Sequence, residues 1–259
     1  MLKPLRDIVD DIGECLLFLR LVARTAVRYP CTWESVCEQT WKVTVQSTPT
    51  TAMAGFFVGA IMTVQFTMQI KAFGALGYLG GLSTSATVRE IGPLLIAFLL
   101  SGKVGAFTSA ELGTMRVTEQ IDAIRCLGAN PVTEIILPRF LGIVISSFFL
   151  LAAGLLMSIF GGMLLGAFFS GINPEVYLRH IPTIVSQFSL GTGLFKCLTF
   201  ALILASVCTY KGFTASGGAK GVGRSVVSTA VMTMVGIVVF DWFTSLLAET
   251  ALNLFWEGS

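Results

Sequence analysis

TVREIGPLLIAFLLSGKVGAFTSAELGTMRVTEQIDAIRCLGANPVTEIILPRF, residues 87–140, is the stretch whose reading decides the fold. It opens with a charge pair, Arg89-Glu90, at the mouth of an apolar span that continues to about residue 110. It then leaves the apolar phase for a short polar helix, 119–127, and returns to an apolar run at Phe140. A polar helix held between two membrane spans has to face water on one side of the bilayer. There a soluble partner can push on a membrane protein.

The rest of the chain agrees with a membrane assignment. Only 12% of residues are charged against 54% hydrophobic, and the mean hydropathy is +0.81, whereas soluble domains carry about one charged residue in four. A span needs roughly 20 apolar residues. Five windows qualify, approximately 49–70, 87–110, 140–170, 190–210 and 226–249. The charge-free run 140–174 reads as one long tilted span, because two spans and a turn would need about 40 residues or more. The expected fold is an all-α membrane protein. It has an N-terminal region, 1–45, built on an interfacial amphipathic helix, and a five-span membrane domain, 46–259. A short cytoplasmic helix lies between spans 2 and 3.

Topology follows from the placement of Lys and Arg. With the N-terminus in the cytoplasm and five spans, the inner segments hold Lys3, Arg6, Arg20, Arg24, Arg28, Lys42, Lys103, Arg116, Arg125, Arg139, Lys211, Lys220 and Arg224. The outer set is Lys71, Arg89, Arg179 and Lys196, and the C-terminus lies outside. The first thirty residues mix acids and bases without an uninterrupted apolar core, which is unlike a signal peptide. On a helical projection Leu5, Ile8, Val9, Ile12, Leu16, Leu19, Ala23, Ala26 and Val27 share one arc, with Arg6, Asp10, Glu14, Arg20 and Arg24 opposite. Leu17, Phe18 and Leu21 break the pattern. A helix lying in the headgroup layer fits this arrangement; a soluble packing helix is the alternative.

Several function classes are excluded. The 6 cysteines form no CxxC pair and there is 1 histidine, so neither a metal site nor a disulfide framework is expected. No phosphate-binding loop or dinucleotide fingerprint occurs, so ATP, if used, is bound by another chain. The net charge of +2 gives no reason to expect a nucleic-acid partner. No cofactor is implied. The absence of a strong internal repeat argues against an inverted-repeat transporter.

Ionisable residues inside a bilayer are expensive and tend to face a bundle interior or a wet cavity. Arg89, Glu90, Lys196 and Asp241 fall within spans. At about 1.5 Å per residue, Asp241 lies roughly 22 Å from the inner edge of its span, Lys196 roughly 9 Å and Glu90 near 6 Å from the outer edge. All three converge on the outer half of a core about 30 Å thick. Snorkelling to the surface accounts well for Arg89 and poorly for Asp241, whose side chain is short. A purely structural pair of Asp241 with Lys196 is the alternative. Gly55-x-x-x-Gly59 and Gly162-x-x-x-Gly166 are candidates for close helix approach, and Gly92-Pro93 is expected to loosen the first turn of span 2.

In TEQIDAIRCLGANP, Thr118 is placed to cap a helix, Glu119 and Gln120 suit its first turn, and Gly128 stops it before Pro131. Ile121, Ile124 and Leu127 recur near helical spacing, and one apolar stripe on a short helix suits a groove in a partner. A helix folded back on its own bundle would show the same stripe.

The run REIGP, then SGKVGAFTSAELGTMRVTEQIDAIRCLGANP, then LPRF resembles the signature region of the MlaE-type (YrbE-type) permeases, the membrane subunits of ABC transporters that work with MCE proteins. With lower specificity the resemblance extends over nearly the whole chain. It implies a homodimer of five-span subunits in a bacterial inner membrane, without catalysis of its own, its C-terminus in the periplasm. A cytoplasmic ABC ATPase would dock on the coupling helix (Glu119, Gln120, Asp122, Ile124, Leu127, Gly128), with an MCE-domain protein above an outward-facing cavity. The family moves phospholipids or related lipids between inner and outer membranes, and Glu90, Lys196 and Asp241 match its polar cavity residues, beside Arg89. The chain differs in carrying Lys103 where many relatives have Arg, and Cys126 in the coupling helix. An acyl chain needs an apolar wall, for which Phe56, Phe57, Val64, Phe66 and Met68 of the first span are the candidates. Two other classes remain: a proton-coupled secondary transporter using Glu90 and Asp241, and an intramembrane enzyme on lipid head groups, which a single histidine without a nucleophile set beside it disfavours.

Overall fold

A computed structural model describes residues 2–29 and 31–256, with side chains from 10–29 and 31–250. Leu5, Arg6, Ile8 and Val9 of the expected amphipathic pattern, and residues 251–259 of the 46–259 domain, lie outside the described side chains. Among the described residues the chain is almost wholly helical, without a strand. The helices are α1 (Leu2–Arg28), α2 (Trp33–Ile70), α3 (Leu79–Ala86), α4 (Gly92–Leu100), α5 (Ala106–Val117), α6 (Gln120–Cys126), α7 (Leu137–Ser170), α8 (Pro174–Arg179), α9 (Ile181–Ile184), α10 (Gln187–Phe213) and α11 (Gly218–Trp256).

Among the described residues five helical stretches are long and apolar enough to cross a membrane: Trp33–Phe73, Leu76–Val117, Val132–Ser170, Gln187–Phe213 and Gly218–Thr250. They reproduce the expected number, and the run after Phe140 is a single helix, α7. The helix carrying the first apolar window starts well before it, at Trp33, with Pro49 inside. The second span is not one regular helix: π-helical turns at Thr87–Ile91 and Ser101–Gly105 join α3, α4 and α5. The first of these has a chemical cause. Pro93 has no N–H for the Arg89 carbonyl, and its ring would crowd that oxygen. The turn widens instead, and Gly92 donates to the carbonyl of Thr87, five residues back. The same device recurs at Val132–Ile136, immediately before Leu137-Pro138, where Leu137 donates to Val132, five residues back.

Packing divides the chain into two compact units. One comprises the stretch up to Val43, Leu100–Ser146 and Ala201–Gly236; the other comprises Thr44–Leu99, Ser147–Phe200 and the stretch from Ile237 onward. In the second unit α2 and α7 meet backbone to backbone. A methyl group at Gly55 would overlap the Gly154 carbonyl oxygen, and one at Gly59 would overlap that of Ser158. The first GxxxG motif is therefore a dedicated helix contact. The short helices α3, α8 and α9 pack together, pinned by the buried Tyr177, whose hydroxyl lies 3.0 Å from Thr63 Oγ1, itself 3.2 Å from Ser83 Oγ.

The first unit holds α1 by a stripe outside the apolar arc assigned to the headgroup layer. Cys15, Phe18, Val22 and Thr25 are buried. Asp11 accepts a hydrogen bond from Lys211 Nζ at 2.8 Å, and Glu14 accepts one from the Tyr210 hydroxyl at 2.5 Å. These residues form one stripe. Ile12 and Leu16, from the expected apolar arc, stay exposed. Phe18, which broke the pattern, is a packing residue because α1 has two apolar faces, one for its own chain and one left uncovered. Burial raises the Cys15 thiol pKa, and nearby Lys211 offsets part of that rise.

Candidate functional site

The ion cluster is assembled by backbone proximity in the second unit. Glu90 sits in the widened Thr87–Ile91 turn. Gly193 of α10 faces that turn so closely that a methyl group there would overlap the Val88 carbonyl oxygen. Lys196, one helical turn beyond Gly193, is thereby brought against Glu90. On α11, Asp241 and Ser245 are spaced i,i+4 and share a face.

Lys196 is wholly buried, at 0% exposure, and donates to Glu90 Oε2. It donates to Ser245 Oγ at 2.7 Å, and that hydroxyl in turn donates to Glu90 Oε2 at 3.2 Å. Asp241 Oδ1 lies 2.9 Å from the ammonium, an ion contact whose angle leaves this buried oxygen without a hydrogen bond. Lys196 thus bridges two carboxylates, and the trio has a formal charge of −1. Its carboxylates differ in access: the Glu90 side chain is 43% exposed and that of Asp241 20%. An ammonium buried so completely would cost several kcal/mol unpaired, which is why the two carboxylates and a hydroxyl are gathered around it. The structure unites Glu90, Lys196 and Asp241. Arg89 takes part in none of these contacts. Ser245 was missed by sequence reasoning, since a serine in a span carries no charge to mark it; its i,i+4 spacing from Asp241 was the available signal.

The expected lining residues divide. Phe57, Val64 and Met68 share one stripe with Met53 and Ile61, two residues the sequence reading did not select, and Phe57 and Met68 are exposed. Phe56 turns toward α7, with its ring 6.1 Å from that of Phe160. Phe66 packs on the buried Ile70, Leu79 and Tyr177. Side-chain type alone did not separate these faces.

The polar helix between spans 2 and 3 is α6, in the first unit. Its start differs from expectation. The Thr118 hydroxyl does not cap it but donates back to the Thr114 carbonyl at 2.8 Å. The N-cap residue is Glu119, held at φ 60 with no side-chain cap. Such a left-handed conformation costs a residue with a Cβ on the order of 1 kcal/mol or more. It lets the chain reverse sharply after α5, so that α6 folds back beside it. Gly128, at φ 79, makes the expected stop.

The apolar stripe is also divided. Ile121 is wholly buried, at 0% exposure, in a cluster with Leu112 and Ile135, joined by Met115, Ile124 and Phe213. Leu127, at 84%, is free. The helix is therefore folded onto its own bundle through Ile121, while Ala123, Cys126 and Leu127 stay exposed. Asp122 accepts from Arg116 Nη1 at 2.9 Å and from Arg125 Nη1 at 3.1 Å. Part-exposed pairs of this kind contribute about 0–1 kcal/mol each, against roughly 1.5–3 kcal/mol for burying an isoleucine. The seat of α6 is set by Ile121 and only trimmed by the charges. No group of side chains able to hold a metal ion occurs among the described residues.

Comparison with known proteins places these features in context. A family model described as Permease MlaE matches residues 36–247. The chain is 33% identical to a probable ABC transporter permease protein of Synechocystis sp., over 76% of this chain and 77% of that one. It is 30% identical to a probable ABC transporter permease protein of Rickettsia conorii over 90% of both. It is also 30% identical to protein trigalactosyldiacylglycerol 1, chloroplastic, of Arabidopsis thaliana, over 82% of this chain and 61% of that one. These relatives favour an ABC permease over the proton-coupled alternative.

Proposed function

Because the chain belongs to the MlaE permease family, a family of multi-pass membrane subunits that need a separate ATPase, we propose that it moves phospholipids or related lipids between inner and outer membranes. In this reading it sits in a bacterial inner membrane, with its N-terminus and α6 in the cytoplasm and its C-terminus in the periplasm. Two copies form the permease, an MCE-domain protein receives or delivers lipid on the outer side, and the ATPase docks on α6.

The observation that carries this reading is the two-sided construction of α6. Ile121 fastens the helix to the permease, while Ala123, Cys126 and Leu127 remain uncovered. A helix seated on one side and open on the other can receive a push and pass it on. Two further features support lipid as cargo. The stripe Met53–Phe57–Ile61–Val64–Met68 offers adaptable apolar surface to acyl chains. The Glu90–Lys196–Asp241 cluster offers charge to a head group, with Glu90 the more accessible acid. The name of the Arabidopsis relative is that of a glycolipid.

The test is reconstitution of the permease with its ATPase in liposomes, scoring ATP-dependent transfer of a labelled phospholipid. Leu127→Asp and Ala123→Asp are expected to release the ATPase while leaving the permease inserted and folded. Retention of the ATPase by both variants would sink the docking assignment; absence of ATP-dependent lipid transfer by the intact complex would sink the cargo.

A further inference from the structure

The supports of α6 converge on one side chain. The helix rests on Leu112 of α5, on Ile135 of the Val132–Ile136 turn and on Phe213 at the end of α10. The N-terminal helix α1 reaches two of those three supports. It packs against the Val132–Ile136 turn, and its Phe18 ring stands 5.8 Å from the ring of Phe213. The Phe213 ring also carries the Arg125 guanidinium of α6, 5.8 Å from its centroid, and Ile124 packs in the same cluster. Phe213 thus touches both α1 and α6.

The α1 side of this chain of contacts is fixed. Lys211–Asp11 and Tyr210–Glu14 tie the last turns of α10 to α1, and the Tyr210 ring lies 5.8 Å from Phe18. Two charge-assisted hydrogen bonds and a three-ring stack are more than α1 needs merely to lie against the bundle. The bonds stand within a turn of Phe213 and hold it in register. The α6 side is lighter: one cation–π contact worth about 0.5–1 kcal/mol at an exposed site and one partly buried isoleucine. A rigid mount on one side and a compliant contact on the other suits a part that sets the position of the compliant element.

We infer that Phe213 is a positioning residue through which α1 sets the seating of α6, so that α1 takes part in coupling ATP hydrolysis to transport. This rests on the reading that the ATPase docks on α6. When the ATPase bears on α6, the helix pivots about Ile121; the Phe213 ring, backed by Phe18, limits the pivot and turns the remaining displacement into movement of α10. Without that backstop α6 yields locally and the stroke is spent without lipid movement.

The experiment uses the full permease–ATPase complex in liposomes and reads lipid moved per ATP hydrolysed, together with the kcat and KM for ATP. Phe213→Ala and Phe18→Ala are each expected to keep the ATPase bound with KM for ATP unchanged, and to lower lipid moved per ATP about five-fold or more. Because the two rings act in series, the double variant should be no worse than the poorer single, a non-additivity that independent sites do not show. Phe213→Tyr, which keeps the ring, should restore the ratio. Leu204→Ala, a buried α10 substitution away from the stack, controls for general loss of stability and should leave the ratio unaltered. Wild-type ratios in both single variants, or single effects that multiply in the double, overturn the inference. If an alanine variant does not assemble, Phe18→Leu and Phe213→Leu are judged by the same two outcomes. Retention of the ATPase by Leu127→Asp and Ala123→Asp identifies a failure of the docking reading instead.

Discussion

Gly193 lies against the carbonyl of Val88, and this backbone contact is what puts Lys196 beside Glu90. Any side chain at 193 must push α10 away from the widened turn. Gly193→Ala is expected to destabilise the permease by about 1–3 kcal/mol and to reduce lipid transport at least ten-fold. Gly191→Ala, where an added methyl meets open space, should change neither. Thermal unfolding and transport at matched abundance check this; a Gly193→Ala protein that melts and transports as wild type would show that the close approach is dispensable.

The charges of the cluster were legible because an ionisable residue in a span stands out and its depth can be counted along the helix. Glu90, Lys196 and Asp241 do meet. What brings them together was not legible. Glycines at 55, 59, 92 and 193 look alike in sequence, and only the path of the opposing backbone shows that Gly193 is pressed and Gly191 is not. The seat of α6 was legible as an apolar stripe but not as a divided one, since a short helix that folds back on its bundle and one that awaits a partner have the same spacing. On α1, Glu14 reads as part of the polar face and Asp11 belongs to neither face; their partners, Tyr210 and Lys211, are some two hundred residues away along the chain, and no local pattern announces a long-range pair.

The two sides of α6 can be separated by substitution. Ile121→Ala removes the anchor and should lower stability by about 2–5 kcal/mol, with ATPase binding weakened only as the helix loosens. Leu127→Asp leaves the anchor intact and should abolish ATPase co-purification without moving the melting temperature. Equal losses of stability in both variants would contradict the division of labour.

Tyr177 closes the group of short helices α3, α8 and α9 by placing its hydroxyl on Thr63 of α2. Tyr177→Phe keeps the ring in its buried site and leaves the Thr63 hydroxyl, still bonded to Ser83, with one partner fewer. A loss of about 1–2 kcal/mol is expected, seen as faster proteolysis within 171–186 and a lower melting temperature. Thr63→Val should have a similar effect, and the pair of substitutions together should lose less than the sum of the singles. Full additivity would mean that the two hydroxyls do not act as a pair.

The sharpest expectations concern Lys196. It is the only cation in its cluster among the described residues, and both carboxylates depend on it. Lys196→Ala leaves two acids facing one another with no counter-charge. Breaking a buried pair by removing one member costs about 3–5 kcal/mol, and here the share belonging to Glu90 is reduced by its exposure. Glu90→Ala leaves Lys196 still matched by Asp241, and Asp241→Ala leaves it matched by Glu90, so each should be milder than Lys196→Ala in both stability and transport. Asp241→Ala should be the worse of these two, because its loss leaves only the acid that is already shared with solvent. If Lys196 and Asp241 act as a pair, Lys196→Asp combined with Asp241→Lys should recover part of the transport that each charge reversal alone destroys. The measurement is ATP-dependent phospholipid transfer by each variant at equal membrane abundance. Normal transfer by all three alanine variants would remove the cluster from the transport path and leave it a packing device.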